Sequence, residues 1–321
     1  MPDRVLRRCL PCLAGLLAAA CSAAPTYPYF GAQAGGAGGG GSGATAAGAG
    51  DTGSGAGGSS GAGFFDAGTG VGGSAPTCAS ATQFVYTLTA ANELYRFDPP
   101  TLSFTLIGTL DCDDPLSSPY SMAVDRNAQA WSVFTDGSLY QIDTSNAHCT
   151  ATSFVPGQSG WTTFGMGFSA DAPGGTAETL YVSDSTVPGN KGLARIDLSS
   201  MTLVPIAAYG KLDARAELTG TGDARLFGAF EGTPYDVAQI EKTTAQILSE
   251  APQSAISYAP DSSNFAFAFW GGDFYLFVGP GTSTDVFHYV PSTGVTTKVK
   301  SVTFEIVGAG VSTCAPFVPP T

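Results

Sequence analysis

Leu94-Tyr-Arg-Phe-Asp98, Leu139-Tyr-Gln-Ile-Asp143, Leu193-Ala-Arg-Ile-Asp197 and Val237-Ala-Gln-Ile-Glu241 are four versions of one five-residue phrase, with Val286-Phe-His-Tyr-Val290 as a weaker fifth. The phrases begin 45, 54, 44 and 49 residues apart. Each alternates apolar and polar side chains, the pattern of a half-buried strand. Four of the five end in an acid, and a short polar or Pro-containing turn follows.

Reading outward, each phrase has the same neighbours. Downstream lie β-rich runs at Leu102–Ile107, Thr150–Val155, Thr202–Ile206, Ala245–Leu248 and Val295–Val299. Upstream are runs with aromatic or β-branched cores, at Phe84–Leu88, Trp131–Phe134, Thr179–Val182, Arg225–Phe230 and Phe274–Val278. Further upstream are small or apolar runs at Ser121–Val124, Gly165–Phe168, Leu218–Gly222 and Phe265–Phe269. Four strands in a unit of this length are the signature of a β-propeller blade. No helical period is sustained between residues 78 and 314.

The two ends of the repeat array set the blade number. The first unit lacks an innermost strand, and the chain ends with an orphan run, Ile306–Cys314. If that run completes the first unit, five blades close as a ring and no sheet edge stays open. The expected fold is therefore all-β, a five-bladed propeller sealed by pairing the N- and C-terminal strands. Six blades is the alternative if the loop at Pro173–Glu178 hides another. The domain spans residues 78–316, with a short tail at 317–321.

The unit Ser121-Met-Ala-Val-Asp-Arg-Asn-Ala-Gln-Ala-Trp-Ser-Val-Phe134, followed by Gly137-Ser-Leu-Tyr-Gln-Ile-Asp143, resembles repeats of the NHL and gluconolactonase-like propellers. The likeness covers most of residues 83–314 and carries no catalytic motif. The Gly-His and Trp-Asp marks of WD repeats and the aspartate box are absent. Phe164-Gly-Met-Gly-Phe168, Ala177-Glu-Thr-Leu-Tyr-Val182, Gly220-Thr-Gly-Asp223 and Phe269-Trp-Gly-Gly-Asp-Phe-Tyr275 together resemble a group of exported myxobacterial lipoproteins. That resemblance implies no activity.

The segment ahead of the repeats is of another kind. The chain has 321 residues and 43 glycines, 20 of them between Gly31 and Ala75. They keep no three-residue period, so collagen is excluded. Residues 22–77 are rich in Gly, Ala, Ser and Thr and contain no Lys or Arg. Such a composition buries too little apolar surface to offset ordering entropy and reads as a flexible linker. From Cys21 to Cys78 its r.m.s. reach is about 40 Å. Phe64-Phe65-Asp66 is its one apolar break, a candidate docking point.

Residues 1–20 read as an export signal. Arg4, Arg7 and Arg8 precede the apolar run Leu10–Ala20, which is too short to span a bilayer. Leu17-Ala-Ala-Ala-Cys-Ser22 resembles the bacterial lipoprotein box, which implies lipidation at Cys21. Ser22 after the cysteine implies the outer membrane. The box departs from the usual pattern in placing Leu four residues before the cysteine, and a plain signal peptide is the alternative. Twin-arginine export lacks its context.

Four cysteines remain after the signal and Cys21: Cys78, Cys112, Cys149 and Cys314. An even number in an exported domain suggests disulfides, with three possible pairings. Ring closure brings Cys78 to Cys314. Cys112 leaves the first unit and Cys149 sits in the second, so these two form the other expected pair. The longer loop contributes roughly 4–5 kcal/mol in the chain-entropy model. Only His148 and His288 are available for a zinc site, and no Cys-x-x-Cys survives the signal.

Chemistry is sparse. Net charge is −13, against a nucleic-acid partner and leaving the lipid as the only membrane contact. No Gly-x-Ser-x-Gly elbow, Walker loop or Gly-x-Gly-x-x-Gly opens a helix, and no catalytic residue is assigned. Asp111, Asp113 and Asp114 surround Cys112 and are the weak metal candidates, Ca²⁺ being the fitting ion, with a solvated acidic turn as the plainer reading. Asp125, Asp171, Glu217, Asp223 and Asp273 fall near inner-strand ends, where propeller channels take ligands. Trp131, Trp161 and Trp270 either stack sugars or fill the spaces between blades. The expected function is a cell-envelope binding module for a protein or glycan. A metal-assisted lactonase or glycan hydrolase built on the channel carboxylates is the rival.

Overall fold

The computed structural model describes residues 78–113, 116–260 and 264–318. The export signal, Cys21, the linker with Phe64-Phe65-Asp66, Asp114 and the last three residues lie outside the described residues.

Five four-stranded antiparallel sheets make the fold. The first blade pairs β1 (Val85–Thr89), β2 (Glu93–Asp98) and β3 (Ser103–Thr109). The second is β4 (Pro119–Val124), β5 (Gln129–Phe134), β6 (Leu139–Asp143) and β7 (Cys149–Ala151). The third is β8 (Phe164–Ala170), β9 (Glu178–Asp184), β10 (Leu193–Asp197) and β11 (Thr202–Ala207). The fourth is β12 (Ala216–Gly220), β13 (Leu226–Phe230), β14 (Tyr235–Ile240) and β15 (Ile247–Gln253). The fifth is β16 (Asn264–Trp270), β17 (Asp273–Gly279), β18 (Thr284–Val290) and β19 (Val295–Val302). The final strand, β20 (Ile306–Val311), pairs antiparallel with β1 and becomes the innermost strand of the first blade. Five blades, and not six, close the ring. The Pro173–Glu178 segment is the β8–β9 connection, where Gly174 N–H reaches the carbonyl of Gly222.

The repeated phrase is the third strand of each blade, and its terminal acid has a local job. Asp143 accepts hydrogen bonds from the N–H and hydroxyl of Ser145. Asp197 does the same with Ser199, and Glu241 with Thr243 and Thr244. These bonds favour the ionised form, so all three carboxyls titrate below their ordinary range. Asp98 accepts from the Thr101 hydroxyl. Four residues after each phrase ends, the chain turns left-handed at Leu102, Ala147, Met201, Ala245 and Gly294, with φ between +51° and +69°. Only the fifth turn, which lacks the acid, has glycine there.

Burial follows radius. The innermost strands are buried almost throughout, whereas β3, β11, β15 and β19 are largely exposed or half-buried. The innermost strands crowd so closely that side chains are excluded at some points. A Cβ on Gly165 of β8 would sit 2.0 Å from the carbonyl oxygen of Ala216 on β12. β7 is the short outermost strand, because Thr152 turns back to the carbonyl of Leu139 and Phe154 leaves the sheet for the core.

The apolar core forms five clusters, one between each pair of neighbouring blades. Trp131 and Trp161 lie in the cluster between the second and third blades, and Trp270 in that between the fifth and first. All three are at most 4% exposed, so they fill space and do not stack a ligand. The indoles of Trp131 and Trp270 donate to Asp125 Oδ2 and to the carbonyl of Gln83. Phe317, assigned by the sequence to the tail, packs its ring on Phe269 at 5.7 Å between centroids.

Two cystines are present among the described residues. Cys78–Cys314 joins the start of the described domain to the residues after β20, and Cys112–Cys149 ties the first blade to the second. No helix among the described residues is long and apolar enough to cross a membrane.

Candidate functional site

The innermost strands run together around the axis, so the channel has a leading mouth where they begin and a trailing mouth where they end. The leading mouth holds a cavity of about 420 Å³. Its walls come from the starts of β4 (Pro119, Tyr120), β12 (Glu217), β16 (Asn264, Phe265) and β20 (Val307), with Arg215 and Glu305 from the segments just before β12 and β20. The turns at Ala90, Thr135 and Gly281 supply the rim.

Glu217 is 3% exposed yet lines this cavity. The Ser121 hydroxyl of β4 donates to its Oε2 at 2.6 Å, and Met166 N–H of β8 donates to the same Ser121 Oγ at 3.1 Å. Three blades thus meet at one carboxyl, which forms the floor of the mouth. Loss of hydration holds the Glu217 carboxyl well above its ordinary range, and neither the Ser121 hydroxyl nor the nearby Arg215 charge reverses this. Burial also raises Glu305 and the Tyr120 phenol. Arg215 is anchored on Glu231: its Nε and Nη2 approach Oε2 at 2.6 and 2.5 Å. The Asn264 amide holds the wall together. Its Nδ2 donates to the Ile306 carbonyl at 2.5 Å, and its Oδ1 accepts from Gly281 N–H at 3.0 Å.

The trailing mouth is a polar latch over the ring closure. Glu178, at the start of β9, accepts from Arg126 N–H through Oε1 and from the Thr313 hydroxyl through Oε2, both at 2.7 Å. The Arg126 guanidinium donates to Thr313 Oγ1 at 3.2 Å and lies 3.8 Å from Cys78 Sγ. Burial pushes the Glu178 carboxyl up to about 7, in spite of those two donors.

The acids expected at the channel do not share a site. Asp125 caps the β4–β5 turn through the N–H groups of Asn127 and Gln129. Asp171 accepts from the Thr179 hydroxyl in the β8–β9 connection. Asp223 closes the β12–β13 turn with Thr221 and pairs with Arg225 at 2.8 Å. Asp273 begins β17 and holds His288 Nε2 at 2.8 Å, while the His288 ring stacks on Tyr275. These four sit at the trailing end. Glu217 stands apart from them at the leading mouth. Asp111 is taken up by His148 Nδ1 and Cys149 N–H, each at 2.7 Å. Among the described residues, no group of three or more His, Cys, Asp or Glu is arranged to hold a metal ion.

Tyr120, Arg215, Glu305 and Glu178 escaped the sequence reading. The one signal in the sequence concerns Glu217. β12 begins at Ala216, so Glu217 stands inside an innermost strand and not at its edge. A charged residue among small and apolar neighbours at that position marks the axis.

No protein-family model matches the sequence, and no curated protein matches it. Solved structures similar in shape include the nidogen/laminin complex, 10% identical, with a TM-score of 0.43 over 71% of this chain and 97% of that one. The Dos1 propeller is 12% identical, with a TM-score of 0.37 over 64% of this chain and 52% of that one. The extracellular domain of the one-component system BT4673 from B. thetaiotaomicron is 14% identical, with a TM-score of 0.35 over 70% of this chain and 28% of that one.

Proposed function

We propose that this chain is an exported, lipid-tethered binding module of the cell envelope that takes a protein or glycan ligand at its leading mouth. The cavity of about 420 Å³ on the propeller axis carries the proposal. It falls in the size range of ligand sites and offers a few polar groups against apolar walls. A ring of blades is a common scaffold for interaction, and the site is what chooses the ligand. The two cystines are consistent with an oxidising, extracytoplasmic setting. In this reading residues 1–20 are removed, Cys21 carries the lipid, Ser22 directs the chain to the outer membrane, and residues 22–77 tether the propeller. The chain then stands beside the exported NHL/gluconolactonase-like propellers of the myxobacterial lipoprotein type.

Photo-crosslinking tests the binding site. A benzoylphenylalanine at Thr135, on the rim, is compared with one at Val295 on the exposed start of β19. Capture of an envelope component at Thr135 and not at Val295 is the expected result; equal capture rejects the mouth as the site. Intact mass of the membrane fraction tests the tether, and a Cys21 without a diacylglyceryl mass rejects it.

A further inference from the structure

Resting on that reading, we infer that the leading mouth receives a primary ammonium group, the side chain of a lysine on a protein partner, with Glu217 at the floor and Glu305 at the rim as its counter-charges.

Three observations carry this. The first is charge. Arg215 is the one basic side chain lining the cavity, and it is engaged by Glu231. That pair is neutral as a unit, so the carboxyls of Glu217 and Glu305 face the cavity with no further base among its lining residues. The second is the wall. Pro119, Phe265, Val307 and the ring of Tyr120 give the cavity apolar walls. A lysine matches this mixture of apolar wall and carboxyl, because its stem packs on apolar surface while its charged end seeks a carboxylate. The third concerns a glycan. Sugar hydroxyls are held by amide and guanidinium donors working together with carboxylate acceptors, and in this mouth the donor half of such a set is already engaged. Here the Asn264 amide is spent on Ile306 and Gly281, and the Arg215 guanidinium on Glu231.

Binding has a proton balance. Burial favours the protonated form of Glu217 in the empty mouth. The ammonium arrives charged, and pairing with it favours the ionised Glu217 carboxylate, so a proton held there leaves to solvent. The groups facing Glu217 are Ser121, Tyr120 and Arg215, with Glu231 behind Arg215. None of them is placed to take that proton. Affinity for the ammonium therefore rises with pH, since pairing favours the ionised form of Glu217 that burial disfavours.

The test uses the full chain and Nα-acetyl-lysine methylamide as probe, with its Nε-acetylated form and chitobiose as comparisons, followed by calorimetry at pH 5.5 and 7.5. The lysine probe is expected to bind at least tenfold more tightly than its Nε-acetylated form, and at least threefold more tightly at the higher pH. Glu217→Gln is expected to remove the pH dependence and weaken binding at least tenfold. Glu305→Gln, at the more exposed rim, guards against a folding defect and is expected to weaken binding severalfold with an unchanged near-UV spectrum. Equal binding of the two lysine forms, no binding of the lysine probe, or tight binding by both variants overturns the inference. Chitobiose binding, or rim crosslinking to a component without lysine dependence, overturns the ammonium inference and leaves the mouth as the binding site. Lack of lysine binding together with equal crosslinking at Thr135 and Val295 overturns both.

Discussion

Glu178 makes the stability of this propeller fall as pH rises, and the size of the effect follows from its surroundings. Its carboxyl is held at about 7 in the fold, against an ordinary value of 4.5 in the unfolded chain. The folded state therefore binds the proton more tightly than the unfolded state. The associated stability is full below pH 4.5 and is lost progressively until pH reaches about 7, beyond which no more is lost. A shift of two and a half units corresponds to about 3 kcal/mol, reduced toward about 2 kcal/mol by the solvent that still reaches the carboxyl. Replacing Glu178 by Gln deletes the titration and keeps the shape of the latch over Arg126 and Thr313. Other carboxyls titrate in the wild type and in the variant alike, so the difference between the two proteins isolates this one. Urea unfolding followed by tryptophan fluorescence suits the purpose, because the three tryptophans lie in interblade clusters. Relative to wild type, Glu178→Gln is expected to gain about 2–3 kcal/mol between pH 4.5 and pH 7.5. A difference that stays constant across that range, or that runs in the opposite direction, refutes the reasoning.

Three further predictions concern closure, crowding and turns. Removing both cysteines of the Cys78–Cys314 pair should destabilise the chain by about 1.6 kcal/mol more than removing the Cys112–Cys149 pair, since the chain-entropy cost scales with the logarithm of loop length; the sequence separations are 236 and 37. Urea midpoints of the two double-alanine variants decide it, and equal losses reject the entropic account. Gly165→Ala drives a methyl into the Ala216 carbonyl and is expected to cost about 3 kcal/mol or more, or to prevent folding, as read by soluble yield and thermal midpoint. Gly294→Ala meets no atom within 4 Å, so its expected cost of about 1 kcal/mol is purely that of the left-handed backbone. A stabilised variant at 294 would contradict the assignment of that turn.

Much of the fold was legible because a strand of a propeller blade is specified by its own side chains. Leu139-Tyr-Gln-Ile-Asp143 alternates inward and outward residues as expected, and the structure adds that its final acid caps the turn that follows. The orphan run after Ile306 announced the β1–β20 seam because a blade without an innermost strand leaves an unpaired edge. The site was far less legible. In the sequence Glu217 is one of five carboxylates near strand ends. Asp125, Asp171 and Asp223 carry the same local signal, however, and they cap turns at the other end of the channel. Tyr120, Arg215 and Glu305 are separated along the chain by whole blades, and nothing in their neighbours marks them as companions.

The sequence by itself determined the strand order within each unit and the closing of the ring, since each depends on periodicity or on the need to pair a lone edge, and the structure settled five blades against six. It also carries the expectation of an exported, tethered chain, which rests on composition and motif alone. Only the tertiary structure decided which of the five expected acids cap turns and which one, Glu217, is buried at a cavity shared by several blades. That distinction is one of hydration and distance across the axis. Residues 96 positions apart, such as Ser121 and Glu217, meet there because five innermost strands converge.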